Sequence, residues 1–201
     1  EAAKVAGVFD RVVLNADHPA FRKLADRYGV EFYLRSAELG SSTTKSDSVV
    51  HDFMKTHPAE AVAWVNPTSP LQTGAEIRDA VRYFADEKLD SLITVKNEQV
   101  HCVFEGKPVN FNLDEVFAQT QDLTPVQPCV YSVMIWRTAP FMKTFKEKGF
   151  ALLAGKVGYF PVGKLSAVII KTEDDLRMAE AVLAVTQGRT PFRLRYEPLD
   201  E

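Results

Sequence analysis

The chain has 201 residues, of which 46% are hydrophobic; that is enough for one domain with a sizeable core and excludes a disordered protein. A net charge of -3 gives no footprint for nucleic acid or for an anionic membrane surface, and no apolar run approaches the roughly 20 residues that span a bilayer. Two isolated cysteines, Cys102 and Cys129, suit neither a disulfide framework nor a zinc site; they are expected to be reduced thiols of a cytoplasmic protein, and the first residues carry no signal-peptide pattern.

Residues 1–10, EAAKVAGVFD, begin mid-pattern, like the last turns of a helix running into a strand. A first strand and loop are expected to be missing ahead of them. Residues 11–16, RVVLNA, predict a short strand ending at Asp17. His18-Pro19 opens a helix with Phe21, Leu24, Ala25 and Tyr28 facing inward, capped by Gly29. Residues 31–34 read as a strand. Residues 40–48, GSSTTKSDS, read as a polar loop and helix start; Val49, Val50, Phe53 and Met54 form the inward face of that helix, and His57-Pro58 ends it.

The chain is organised around residues 61–73, AVAWVNPTSPLQT. The unbroken apolar run 61–65 predicts a strand covered on both faces. Asn66-Pro67 stops it, Thr68 and Ser69 sit between Pro67 and Pro70, and a helix begins near Thr73. In open α/β sheets a loop at a strand's carboxyl end lies in the ligand crevice. Two hydroxyls held between prolines make a stiff hydrogen-bonding platform, and equally make a plain strand-to-helix turn.

Ile77, Ala80, Val81 and Phe84 then mark an amphipathic helix, and residues 91–95, SLITV, the next strand. This alternation predicts an α/β fold with a mainly parallel twisted sheet flanked by helices. Residues 100–104 and 109–111 flank a turn at Glu105-Gly106-Lys107-Pro108 and predict a hairpin. Residues 131–136 are strongly β-prone. The stretch 97–130 reads as a lid or dimerisation excursion within a single domain, 1–201. Beyond it lie a helix over 138–148 ended by Gly149, strands near Tyr159 and over 168–170, and a helix over 172–187. Thr172 with Asp175 resembles a capping box, with Leu176, Ala179, Val182 and Leu183 on the apolar face. The tail, 189–201, is expected to lie on the surface or reach a neighbour.

Several residues carry candidate chemistry. Asp17 places a carboxylate at a strand's carboxyl end, as a magnesium ligand or ribose partner or as an N-cap for the helix at Pro19. Residues 40–46 offer hydroxyls and N–H groups to an anion, or simply cap a helix, with Lys45 solvated. The side-chain amides of residues 119–123, QTQDL, suit a sugar or base edge or a polar loop. His101 is read as structural or exposed, since no second His or Cys stands at ligand spacing.

Six segments then combine: VFDRVVLNAD at 8–17, RSAELGSSTTKSDSVVHDFM at 35–54, NPTSPLQT at 66–73, DSLITV at 90–95, QTQDLTP at 119–125 and KTEDDLRMAEAVL at 171–183. In this order they resemble the cytidylyltransferases that activate acidic eight- and nine-carbon sugars, the acylneuraminate (CMP-sialic acid synthetase-like) enzymes above all. The resemblance implies a Rossmann-like nucleotidyltransferase fold and a homodimer. It implies attack of an acidic sugar's hydroxyl on the α-phosphate of CTP, with Mg2+, in the synthesis of polysaccharide precursors. By that match Asp17 is the nucleotide- or metal-binding aspartate, Thr68 and Ser69 belong to the nucleotide pocket, and Gln121 lies near the sugar.

The chain also departs from the family. The N-terminal strand and its Gly/Arg/Lys-rich phosphate loop have no counterpart. The metal-binding Asp-Ile-Asp falls on Ile169, Ile170 and Lys171; the arginine before Gln121 is Thr120, and the arginine after Ser-Pro-Leu is Gln72. These losses remove the cations that hold phosphate and the anions that hold metal. Lys171, in place of an aspartate, sets an ammonium where the metal stood and is thereby a candidate catalytic residue. Two readings follow: an active CMP-sugar transferase, or a degenerate homologue that binds nucleotide or sugar, or scaffolds, without catalysis.

Overall fold

A computed structural model of the chain describes residues 1–186. In chain order the elements are α1 (Ala2–Ala6), β1 (Val13–Ala16), α2 (Arg22–Tyr28), β2 (Glu31–Leu34), α3 (Ser46–Thr56), β3 (Ala61–Val65), α4 (Gly74–Asp86), β4 (Ser91–Val95), β5 (Val103–Phe104), β6 (Lys107–Pro108), β7 (Cys129–Arg137), α5 (Thr138–Lys148), β8 (Val157–Pro161) and α6 (Glu173–Thr186). None of these helices is long and apolar enough to cross a membrane.

The fold is mixed α/β. β1 and β2 pair in parallel. β3, β7, β4 and β8 form a second ladder in that order. β3, β4 and β8 run in one direction, and β7 lies antiparallel between β3 and β4. The β4 run SLITV is buried along its whole length, because β7 and β8 flank it and helices cover both faces. On one face Val50 and Met54 of α3 meet Ile93, Met134, Trp136 and Phe141. On the other, Ala6 of α1 and Ile77 and Phe84 of α4 meet Leu92, Val133 and Ile135. The register of β4 on β7 slips between Ile93 and Val95. There the buried Thr94 hydroxyl accepts from the Val133 N–H at 3.0 Å and lies 3.0 Å from Ser132 Oγ, which repairs the interrupted ladder.

β3 does pack on both faces, Val62 and Trp64 against one core and Ala63 and Val65 against the other, but it is only half-buried because among the described residues it pairs with β7 alone. Three expectations need correction. Phe21, Leu24 and Tyr28 are exposed, and only Ala25 of that set is buried; α2 packs mainly on β2 and its own entry turn. The hairpin closes sooner than its sequence suggests: Glu105 and Gly106, with φ of 48° and 76°, make a two-residue turn, and the return strand is Lys107–Pro108 instead of 109–111. Residues 168–170 are irregular rather than a strand, tied down through loop contacts described below. The Thr172–Asp175 capping box forms, with Asp175 accepting from the Thr172 N–H at 2.8 Å; Gln187 lies outside the described residues.

Candidate functional site

Because β3, β4 and β8 point the same way, the loops that follow them leave from one rim of the sheet. The loop after β3 folds on itself first. Asn66 Oδ1 accepts from both the N–H and the hydroxyl of Thr68, at 3.0 and 2.9 Å, an Asx turn. The Ser69 N–H donates to the Asn66 carbonyl at 3.1 Å. Thr73 then caps α4: its Oγ1 accepts from the Glu76 N–H at 3.2 Å and donates to Glu76 Oε2 at 3.0 Å.

The segment after β8 closes over this loop. The Ile170 N–H donates to the Thr68 carbonyl at 2.9 Å. The Gly163 N–H donates to Glu76 Oε1 at 2.8 Å, and the Ser166 hydroxyl donates to the Leu71 carbonyl at 3.3 Å and contacts Glu76 Oε2. Burial drives the Glu76 pKa upward, but the hydrogen bonds from Ser166, Gly163 and Thr73 outweigh it and hold the group below its ordinary value. Ser69 and Gln72 end up 6% and 7% exposed. Ser69 Oγ and both amide atoms of Gln72 are buried without a hydrogen-bond partner among the described residues. Lys171 follows directly, exposed, its own N–H donating to Asp175 Oδ2 at 3.0 Å.

Asp17 belongs to a second group. It stands one residue past β1, and Arg35 one residue past β2, so the parallel register sets them side by side. Arg35 NH2 lies 3.2 Å from Asp17 Oδ2, and Arg35 NH1 donates to the Asn15 carbonyl at 3.2 Å. The loop after β2 presses on this pair: a Cβ at Gly40 would lie 2.6 Å from Asp17 Cβ, so only glycine fits without displacement. Asp17 does not cap the turn at Pro19; His18 does, its Nδ1 accepting from the Ala20 N–H at 3.1 Å.

Gln121 lies in the excursion on a third group. Its side chain contacts Gln119 Oε1, and its carbonyl accepts from Gln99 Nε2 at 3.2 Å. His101 stacks on Phe117 at 3.8 Å between ring centroids. Among the described residues no hydrogen bond or ion pair joins Asp17, Gln121 and the Thr68 loop to one another. The structure does bring Thr68, Ser69 and the backbone at Lys171 together.

The donor set does not fit magnesium held by the protein. A hard divalent cation takes several oxygen ligands, whereas Asp17 has the Arg35 guanidinium 3.2 Å from its Oδ2, a charge that opposes a cation there. No group of three or more His, Cys, Asp or Glu side chains placed to hold a metal ion occurs among the described residues.

Arg35, Gln72 and Glu76 are the residues of these groups that sequence reasoning did not assign a role. Arg35 had one readable signal, a cation one residue beyond a strand as Asp17 is beyond another. Glu76 stood three residues after Thr73, the spacing of a capping box.

A family model described as cytidylyltransferase matches residues 1–131. The N-acylneuraminate cytidylyltransferase of Streptococcus agalactiae serotype V is 21% identical over 184 residues, covering 87% of this chain and 43% of that protein. The protein of the same description from Escherichia coli O18:K1:H7 is 29% identical over 97 residues, 47% of this chain and 23% of that protein. The chain thus spans less than half the length of these curated relatives. Among solved structures, CMP:2-keto-3-deoxy-manno-octonic acid synthetase complexed with CTP superposes with a TM-score of 0.64 at 10% identity, over 92% of this chain and 86% of that one. The 4-diphosphocytidyl-2C-methyl-D-erythritol synthase of Anaerococcus prevotii superposes with a TM-score of 0.59 at 15% identity, over 90% of this chain and 85% of that one. At such identities the likeness is one of fold.

Proposed function

The chain belongs to the cytidylyltransferase family, and from that premise we propose that its protein transfers a cytidylyl group from CTP to an acidic, acylneuraminate-type sugar, as a cytoplasmic homodimer in polysaccharide-precursor synthesis. The observation that carries the reading is the family match over 1–131 together with the loop from Asn66 to Thr73 on the rim at the carboxyl ends of β3, β4 and β8. In the reaction the sugar hydroxyl gives its proton to solvent as its oxygen bonds to the α-phosphorus, the bond from that phosphorus to the oxygen bridging to the β-phosphate breaks with its electron pair going to that oxygen, and pyrophosphate leaves. The chain's own part is to hold the reactants: Thr68 and Ser69 at the nucleotide, Lys171 as a cation beside them, Gln121 toward the sugar. Fixed positive charge near the developing negative charge is the main lever in chemistry of this kind.

The homodimer reading is supported by the excursion, where Phe104, Leu113, Val116 and Phe117 are all exposed, Val116 at 94%. Apolar side chains gathered on one exposed segment mark a contact surface. Cys102 and Cys129 are both free thiols, which suits the cytoplasm.

A second reading, a nucleotide-binding homologue without catalysis, is favoured by one observation: the Asp17 carboxylate lies 3.2 Å from the Arg35 guanidinium, whose charge opposes a metal ion there. Pyrophosphate release from CTP by the full-length protein, with a panel of acidic sugars, decides between them. Sugar-dependent release supports transfer. Cytidine nucleotide binding without release, with magnesium or manganese supplied, replaces transfer by the second reading.

A further inference from the structure

The loop between β3 and α4 shuts in three polar atoms that have no hydrogen-bond partner among the described residues: Ser69 Oγ, Gln72 Oε1 and Gln72 Nε2. Native proteins leave few such atoms, and each asks for an explanation. Their neighbours are satisfied. Asn66 Oδ1 is filled by Thr68, and the Leu71 carbonyl by Ser166. The α4 N-terminus is closed to an anion as well, since Thr73 Oγ1 takes the Glu76 N–H and the Glu76 carboxylate already sits in the first turn.

What is left is neutral. An amide asks for an acceptor opposite its NH2 and a donor opposite its oxygen, side by side in one plane. The edge of a heterocyclic base offers that pair, and Gln commonly meets a base edge with two parallel hydrogen bonds. We infer that Gln72 is a specificity-determining residue that reads the pyrimidine base of the nucleotide. Its Nε2 donates to the ring N3 of cytosine, and its Oε1 accepts from the exocyclic amine, with Ser69 Oγ beside them. The assignment rests on the nucleotide-binding reading above and adds to it the residue that recognises the base. Entry requires residues 163–170 to part from the loop they cover through Ile170 and Ser166.

The test uses CMP as the probe, with calorimetric titration of the full-length wild type, Gln72→Met and Gln72→Leu, and thermal melts without ligand. A side chain that exists to meet a ligand lowers the stability of the empty protein. Replacing it by an apolar group of similar size is then neutral or stabilising. The expected result is a CMP affinity reduced on the order of tenfold or more in both variants, with a ligand-free melting temperature equal to or above that of the wild type. Undiminished CMP affinity in either variant overturns the inference and leaves the nucleotide reading standing. A lowered melting temperature in both also overturns it, because the amide then has a structural partner. Failure of the wild type itself to bind CMP overturns the inference and the nucleotide reading together.

Discussion

The N–H of Ile170 donates to the carbonyl oxygen of Thr68 at 2.9 Å, across about a hundred residues of chain. That bond sews the loop after β8 to the loop after β3 and brings the backbone just before Lys171 to the Thr68 carbonyl. The rim is one unit through contacts of this kind, since residues 168–170 form no strand that would hold them otherwise.

Glu76 holds more of this seam than any other side chain described. It accepts from the Gly163 N–H at 2.8 Å and from the Thr73 hydroxyl at 3.0 Å, and it contacts Ser166. Glu76→Ala removes a helix-capping partner and leaves these donors unmatched; a loss of about 1–3 kcal/mol in urea denaturation is expected. The pH dependence follows from the lowered pKa. Above the ordinary carboxylate range the group is ionised in both folded and unfolded chains, and its full stabilisation is present. As pH falls through the folded-state value it is lost. The stability gap between wild type and Glu76→Ala therefore narrows on acidification; a gap that widens refutes the role.

Asp47 does comparable work away from the rim. Its Oδ1 accepts from the N–H groups of Ala151 at 2.6 Å and Leu152 at 3.0 Å, binding the first turn of α3 to the chain after α5. Asp47 is buried, so Asp47→Ala strands two donors, at about 1–3 kcal/mol for each left unsatisfied. Asp47→Asn keeps an oxygen in place and loses less. Equal melting temperatures for the two variants count against this account.

Lys171 carries the one proposed cation beside the Thr68 loop. If its ammonium acts where a metal would, CTP affinity is unchanged by EDTA and falls in Lys171→Ala, while the affinity for cytidine without phosphates is unaffected. Titration with CTP, with and without chelator, checks this. An unaltered affinity in Lys171→Ala removes the assignment.

Val116, at 94% exposure the most exposed of the large hydrophobics described, is the probe for self-association. Val116→Asp sets a charge in the proposed contact and is expected to convert a dimer to monomer in light scattering coupled to size exclusion, with the melting curve of the monomer intact. A dimer that persists in Val116→Asp moves the contact elsewhere.

Features fixed by neighbours in the chain were legible in the sequence. Gly149, at φ 76°, ends α5 where the pattern placed it. Thr172 and Asp175 cap α6 through their three-residue spacing. The β4 run was readable because five consecutive core residues admit little else. Features fixed by distant partners were not. Nothing in residues 129–137 says that β7 enters antiparallel between β3 and β4, and that insertion leaves β3 at an edge. Phe21, Leu24 and Tyr28 have helical spacing but little to cover them. At the site, Thr68 and Ser69 stood out through their prolines. Gln72 and Arg35 did not, because a buried amide and a strand-end ion pair are defined by what lies opposite them in space.

The outer margin of β3 has a practical consequence. The bonds from the Thr138 N–H to the Glu60 carbonyl and from the Asn66 N–H to the Ser132 carbonyl fix the parity of its ladder with β7. Ala61, Ala63 and Val65 therefore turn their main-chain groups away from β7, with no strand beside them among the described residues. A side lined by alanine and valine, without lysine or proline to blunt it, has room for one more strand. An extended segment laid there would pair through the main-chain groups of Ala61, Ala63 and Val65 and carry the sheet one strand further, and a lysine at Ala63 would weaken that pairing.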